Sequence, residues 1–565
     1  MNQIFYTMKS KRIFGHAVGI LSISFMVIGC APRTGEDEII TEIDDPSTEI
    51  TLDWDKTYQE IDGFGTFAGR AKPLYESENR DSIIEYLWGP SGLQLNMIRA
   101  EILYEYPFDE NSGEVTVPGN AEINAGPGGI YHSLGEIRKQ QIAQGWILKN
   151  VEEKYQVPIK LASAWSPPLY MRLDSTQGHS KVKLPEIPGF SNLEDAQRSI
   201  KILEPYIKGE KLIANGVNPE KRPDFARYLA GFVNAYKEMG IEFDAISPSN
   251  EPDNVVSEWV NAFWMPGDLG RFISDDLRPA LDKEGLQDVK IIGPENAGWA
   301  TNDLFLNNMD RSNIDIYAGH GYKEIMMHIG ERLVRVEEAT ENTEDFESWY
   351  NALNEALSRE THGDLNTDPI PWSFSTGDKK VWLTEASDDS QQATGKGGDA
   401  SMSAGLKLAT QMHKFLTLEG NSINAYVYWL GMLDNDNNEA LIWDINGSLK
   451  FPKTYDVMGH FSRDIEPGYI RFGAKVNKHP EDLLPSAYRD PDTGKMTVVI
   501  VNRGSDAYRT TLNPGFDTDE LKGYQTTDNS TVHWKEEVVV TKEESGKWTV
   551  LIPAKSVITL VGERN

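Results

Sequence analysis

A chain of 565 residues with 87 acidic and 55 basic side chains carries a formal charge of −32. That charge repels phosphate backbones and anionic lipid surfaces, so nucleic acid is not an expected partner. The single cysteine excludes an intrachain disulfide, and the length allows roughly two to four domains.

The first element is not part of the fold. Lys9, Lys11 and Arg12 precede an apolar run from Ile13 to Gly29, a charged segment and hydrophobic stretch rather short for a full membrane span. The run ends in "VIGC", which resembles the lipobox of bacterial lipoproteins. The resemblance implies cleavage before Cys30 and a diacylglycerol on its sulfur. Loss of residues 1–29 removes three cations and no acid, which takes the charge to about −35. Residues 30–48, with "GEDEIITEIDDPSTE", read as a solvated acidic tether. An acidic run after the cysteine also resembles the surface-export signal of Bacteroidetes lipoproteins, so an outer-membrane anchor on the cell surface is expected, with a periplasm-facing anchor as the alternative.

The next stretch, "EITLDWDKTYQEI" from Glu49, has strand character. From Ile61 onward, short apolar runs alternate with helical patterns, the signature of βα units around a parallel sheet. The runs are "IDGFGTF" from Ile61, "LNMIRAE" from Leu95, "IKLASAW" from Ile159, "DAISPSNE" from Asp244, "VKIIGPEN" from Val289, "IDIYAGHGY" from Ile314, "KVWLTEAS" from Lys380 and "NAYVYWLG" from Asn424. Helical periodicity lies between them, as in "SLGEIRKQQIAQGWILKNVEEKY" and "DFARYLAGFVNAYKEMG". Eight such units predict a (β/α)8 TIM barrel over residues 61–467. An open doubly wound sheet is the alternative, but no glycine-rich phosphate turn follows any strand. From Gly468, "MTVVIVNRG", "YRTTLNP", "EEVVVTKE", "WTVLIPA" and "SVITLVGE" alternate as antiparallel strands. Residues 49–60 are expected to join residues 468–565 in a β-sandwich side domain.

Residues at the C-terminal strand ends of such a barrel converge on one mouth. These ends carry Arg99, Trp165, Asn250, Glu251, Glu295, His320, Tyr322, Glu385 and Trp429. Glu251, after the fourth strand, and Glu385, after the seventh, form a carboxylate pair across the mouth. A pair about 5–5.5 Å apart suits retaining glycoside hydrolysis. Pro248 and Pro252 flank Asn250 and Glu251 and restrict that turn. Glu295 can bind a hydroxyl or pair with a cation, and the role of His320 is open. Asp388 and Asp389 read as loop acids facing water. The ten histidines show no metal-ligand spacing, and no cofactor motif is present, so neither a metal nor a cofactor is expected.

"YQEIDGFG", "SAWSPPLYM", "ISPSNEPD", "VWLTEAS" and "HFSRDIEPGYIRF", in this order, resemble glycoside hydrolase family 30, within the retaining β-glycosidase clan with catalytic glutamates after strands four and seven. The resemblance runs from about Thr51 to Val561. It implies a retaining glycoside hydrolase with Glu251 as acid/base and Glu385 as nucleophile. Asn250 matches the residue that binds the 2-hydroxyl, Arg99 the arginine that keeps the nucleophile ionised, and Tyr322 the tyrosine hydrogen-bonded to it. Trp165 and Trp429 are placed like rings lining the sugar subsite. The xylanase branch resembles this chain best, with β-1,6-galactanases, β-1,6-glucanases and exo-acting β-glucosidases or β-xylosidases as alternatives. The loop after strand eight, "LGMLDNDNNEAL", carries Asp434, Asp436 and Glu439 and no Arg or Lys. It would repel a carboxylated side group, which favours a neutral oligo- or polysaccharide. The long segments from Arg172 to Pro223 and from Lys323 to Lys379 are expected to wall or close the cleft. A monomer is expected. From another class, a surface glycan-binding lipoprotein would also suit the anchor, but it does not require both glutamates.

Overall fold

The computed structural model describes residues 48–117, 134–173, 188, 192–211, 216–254, 260–322, 365, 369, 371–388, 397–477 and 481–565. The signal segment, Cys30 and its lipid, residues 30–47 of the tether, Asp389 and much of the two long segments lie outside the described residues. Among the described residues no helix is long and apolar enough to cross a membrane.

Strand β1 spans Glu49–Glu60. The next eight strands form a closed parallel barrel in chain order: β2 Gly63–Phe67, β3 Met97–Glu101, β4 Ile159–Ser163, β5 Ala245–Ser247, β6 Lys290–Gly298, β7 Ile316–Tyr322, β8 Lys380–Ala386 and β9 Ala425–Tyr428. The ring closes where Gly63–Thr66 pairs with Ala425–Tyr428. Seven of the strands lie within one of the eight apolar runs and β6 runs two residues past its own, because both faces of a barrel strand are buried and alternation gives way to a continuous apolar pattern. Inside, Met97, Leu161, Ala245, Ile292, Ile316, Ala318, Trp382, Ala425 and Val427 pack against one another, a filled core rather than a channel. Outside, helices such as Leu134–Tyr155 and Arg222–Glu238 turn an apolar stripe to the strands.

Beyond the barrel, β10 Leu430–Leu433, β11 Ala440–Ile445 and β12 Ser448–Lys450 make a small sheet. The remaining strands are β13 Ile470–Asn477, β14 Leu483–Arg489, β15 Lys495–Asn502, β16 Tyr508–Asn513, β17 Leu521–Thr526, β18 Glu536–Glu537, β19 Val540–Lys542, β20 Trp548–Ile552 and β21 Ser556–Glu563. They hydrogen-bond into one ten-stranded sheet in the order β18-β17-β21-β15-β14-β13-β1-β16-β20-β19. Every pairing is antiparallel except that of β1 with β16. The run "EEVVVTKE" divides into β18 and β19, which occupy opposite edges of the sheet although Glu537 and Val540 are three residues apart. The two edges therefore meet. The sheet rolls around a core of its own that includes Leu52, Phe472, Ile500, Leu512, Val550 and Leu560. Its other face packs on the barrel: His460, in the helix Lys453–Ser462, lies 2.8 Å from both Thr526 Oγ1 and Thr559 Oγ1.

Strand β1 lies between β13 and β16 and holds the two halves of this sheet together. Leu52 is buried and Asp55 is exposed. Leu52→Ala is expected to lower unfolding free energy by about 2–5 kcal/mol and Asp55→Ala to leave it within about 0.5 kcal/mol. Denaturant unfolding checks both, and equal midpoints for the two variants would contradict the role of β1.

Candidate active site

Side chains two residues apart on a strand face the same way, so each barrel strand that fills the core also supplies the mouth above it. Met97 is in the core and Arg99 and Glu101 follow on its face; Leu161 is followed by Ser163, Ala318 by His320 and Val427 by Trp429. This parity would turn Glu385 away, because Trp382 is in the core and Thr384 follows it. The register corrects it. Gly319 pairs with Leu383 but His320 pairs with Glu385, so a bulge at Thr384 re-aims the carboxylate inward. A similar shift between Pro294 and Asn296 accompanies Glu295, whose φ is 62°. Glu251 has a φ of 46°, a left-handed conformation that costs a non-glycine residue about 1–3 kcal/mol. Its backbone is held by Glu251 N donating to Glu295 O at 3.0 Å and Asn254 N donating to Glu251 O at 2.9 Å.

The buried guanidinium of Arg99 organises the site. Nη1 donates to Glu385 Oε2 at 2.6 Å, Nη2 to Asn250 Oδ1 at 2.6 Å and to Glu295 Oε1 at 3.3 Å, and Nε to Ser163 Oγ at 3.2 Å. Tyr322 Oη donates to Glu385 Oε1 at 3.1 Å. On the other side of the mouth, Asn254 Nδ2 donates to Glu251 Oε2 at 2.8 Å, and His320 Nδ1 lies 3.2 Å from Glu251 Oε1 and 3.8 Å from Glu385 Oε2. The facing ring nitrogen and carboxylate oxygens of Glu251, His320 and Glu385 all lie within 4.8 Å of one another. Such a trio could ligate a cation only with its imidazole neutral.

Burial would lower the pKa of His320, but the charge of Glu385 and the attraction of Glu251 and Glu295 raise it to about 9. Burial would raise Glu295, and the charges of Arg99 and His320 bring it down to about 2. Burial raises Glu385, with His320 and Arg99 opposing the rise. Near neutral pH the cluster therefore holds two cations, Arg99 and His320, against Glu295, Glu385 and Glu251. If all three acids were ionised the site would carry an uncompensated buried negative charge. Two further buried acids border the cluster, Glu101 and Asp253, each raised by burial to about 7.

Trp165 and Trp429 come together with Phe67 as one aromatic wall. Phe67 stacks on Trp429 at 4.6 Å between centroids, and Arg99 lies 4.8 Å over the Trp165 ring. Only 8 % and 9 % of the surfaces of Trp165 and Trp429 reach solvent, so these rings shape the mouth mainly through their edges. Sequence reasoning missed Arg70, which arrives from the loop after β2 with a φ of 45°. Its guanidinium lies 5.6 Å from the Trp429 ring centroid and 3.3 Å from Glu439. Glu439 is thus turned inward on β10–β11 and also accepts from Trp429 Nε1 at 3.3 Å. Asp388 does not face water: it is buried, with Lys407 Nζ at 3.3 Å, because the chain after β8 folds back toward the helix Met402–Thr417. Asn254 carries a contact that only a turn at Glu251 could reveal.

No protein-family model matches the chain. Glucuronoxylanase XynC of Bacillus subtilis is 24% identical over 362 residues, covering 61% of this chain and 67% of that enzyme. Among solved structures, the catalytic domain of GH30 xylanase C from Talaromyces cellulolyticus superposes with a TM-score of 0.64 at 18% identity, covering 91% of this chain and 99% of that one. This is the glycoside hydrolase family 30 fold. The endo-β1,6-glucanase BT3312 superposes with a TM-score of 0.56 at 16% identity, over 92% of this chain and 94% of that one.

The His320 charge makes a pH prediction. Its folded pKa, about 9, exceeds the value near 6.5 of an unfolded histidine. Its contribution to stability is therefore full below about pH 6.5 and lost as pH rises through about 9. Activity should fall over the same alkaline range, and with His320→Gln that limb should vanish while the acid limb, set by Glu385, moves to higher pH. Profiles of kcat/KM against pH check this; an alkaline limb unchanged in His320→Gln would contradict it.

Proposed function

We propose that this chain is a retaining, endo-acting β-glycoside hydrolase, with Glu385 as nucleophile and Glu251 as acid/base, acting on a neutral xylan-like glycan. The observation that carries the reading is the approach of the two carboxyl groups within 4.8 Å, with no room for a water between nucleophile and sugar as inversion requires. In the first step a Glu385 oxygen attacks the anomeric carbon, the glycosidic C–O bond breaks, and Glu251 gives its proton to the leaving oxygen. In the second, Glu251 takes a proton from water as the hydroxyl adds to the anomeric carbon and Glu385 is released.

The charges fit both steps. Before attack the negative charge is on Glu385; in the ester intermediate it is on Glu251. His320 lies 3.2 Å from one and 3.8 Å from the other, so one imidazolium compensates either state with little rearrangement. Arg99 occupies Asn250 Oδ1, which leaves the Asn250 amide N–H groups to donate to the 2-hydroxyl. A neutral substrate is favoured because Arg70, the cation beside the aromatic wall, is already balanced by Glu439. The likeness to an endo-β1,6-glucanase supports β-1,6-glucan as the second reading.

The protein is further proposed to act as a monomer tethered to the outer membrane through Cys30, on the support of the "VIGC" run and the acidic residues after it. Cells expressing the protein should incorporate labelled palmitate into it, and Cys30→Ser should abolish this; label retained in Cys30→Ser would reject the anchor.

Hydrolysis of xylan, β-1,6-glucan and the matching aryl β-glycosides, followed by NMR, should show the β-anomer released first. Glu385→Gln should lower kcat by about 10³-fold or more without abolishing glycan binding. Release of the α-anomer, or full activity of Glu385→Gln, would overturn the assignment.

A further inference from the structure

A cavity of about 400 Å³ lies among the loops that follow β3 and β4, lined in part by Glu105, Tyr106, Phe108, Arg138, Gln141 and Tyr170. Mixed aromatic and polar walls of this kind suit a sugar, whose C–H faces stack on rings while its hydroxyls seek carboxylates and amides. Three features show that the cavity is built. Glu105 stands in the left-handed region with a φ of 68°, as Arg70, Glu251 and Glu295 do at other strand ends of the same mouth, and non-glycine strain of this kind clusters at functional sites. The conformation is pinned: Glu105 Oε1 accepts from Leu169 N at 3.2 Å, which ties the β3 loop to the β4 loop. Tyr228 Oη donates to Leu103 O at 2.6 Å and accepts from Tyr106 N at 3.1 Å, which fixes the wall to the helix Arg222–Glu238. The third feature is Tyr170, which leaves 48 % of its surface in solvent at the cavity rim, with Lys221 Nζ 5.8 Å from its ring centroid.

The barrel order gives the cavity a direction. β4 is a direct neighbour of β5, which presents Glu251, and β3 lies one strand further round, whereas Glu385 comes from β8, three strands from β5 in the other direction. A proton donor faces the leaving oxygen, so the departing part of the substrate lies on the Glu251 side. From Trp165, in the wall beside Arg99, to Leu169 is four residues, at most about 14 Å of chain.

We propose that this cavity is a leaving-group-side subsite for a neutral pyranose unit of the substrate, stacked on Tyr170 and hydrogen-bonded by Glu105 and Gln141. The inference rests on the hydrolase reading and adds to it a substrate of several linked sugars, with recognition beyond the bond that is cut. Oε1 of Glu105 is committed to Leu169, and Oε2 accepts from a hydroxyl of the bound unit. The same subsite receives an acceptor sugar in the second step, when a hydroxyl of that sugar replaces water, loses its proton to Glu251 and forms a new glycosidic bond at the anomeric carbon.

The test compares kcat/KM on a linear oligosaccharide of the preferred glycan with kcat/KM on the aryl β-glycoside of the same sugar, whose leaving group is a single ring. Tyr170→Ala should reduce the ratio of the two about three- to tenfold, the equivalent of one lost ring contact. Glu105→Gln, which keeps an acceptor for Leu169 N, should reduce it too, and both should lower the yield of transfer products relative to hydrolysis. Tyr170 is half exposed, so its replacement leaves the core intact. An unchanged ratio in both variants overturns the subsite. If the parent protein cleaves no glycoside, the hydrolase reading fails, and the subsite is judged by calorimetric binding of the same oligosaccharide: affinity equal in parent and Tyr170→Ala overturns it, and weaker affinity in Tyr170→Ala supports it.

Discussion

A guanidinium with no access to water must be surrounded by acceptors, and the mouth of this barrel is arranged to meet that demand of Arg99. Five hydrogen-bonding groups on its fork would each cost free energy if left unpaired, and removing one partner of a buried pair costs about 3–5 kcal/mol. Arg99 draws its acceptors from four different strand ends: Ser163 from β4, Asn250 after β5, Glu295 on β6 and Glu385 on β8. Satisfying one side chain therefore fixes the relative height and direction of most of the residues that carry the chemistry. His320 repeats the pattern on a smaller scale, with Glu251, Glu295 and Glu385 within 4 Å.

The second constraint is backbone strain, and it is distributed in the same place. Glu251 and Glu295 are left-handed and joined by a hydrogen bond from Glu251 N to Glu295 O, while the bulge at Thr384 alters the parity of β8. Without these departures from regular geometry, period-two alternation would aim Glu385 outward. The regular part of the barrel supplies the packed core, and the irregular ends supply the carboxylates. Stability and chemistry are thus divided along each strand, a few residues apart.

Much of this was legible in the sequence because barrel strands are buried on both faces and stand out as unbroken apolar runs. The strand-end residues were legible for a related reason: a charged residue closing such a run, as in "SNEPD" or "LTEAS", has no place in a core. The rolled sheet was legible only in part. β13, β14 and β17 were not anticipated, since "IRFGAKVN", "LLPSAYR" and "LKGYQT" carry glycine, proline or charge within the strand and lack clean alternation. Pairing across the fold was not legible at all. Nothing local marks Arg70 as the partner of Glu439, 369 residues away, or Asp388 as buried beside Lys407. Nor does the pattern around Thr384 announce a bulge, which exists because β7 and β9 impose their register on β8.

Strand β1 has a consequence for the order in which the molecule can assemble. Its partners, β13 and β16, end at Asn477 and Asn513, so more than four hundred residues must be made before a strand near the front of the chain can be paired. Until then its backbone donors and acceptors are open, and the barrel must form with the two sides of the rolled sheet still apart. Contacts separated by so much chain form slowly, and an unpaired strand is a template for pairing with another copy. The acidic residues Asp53 and Asp55 within the strand, and the repulsion between chains of net charge −32, oppose that outcome during the interval. The charge that bears on partner choice in the folded protein thus also protects the nascent one.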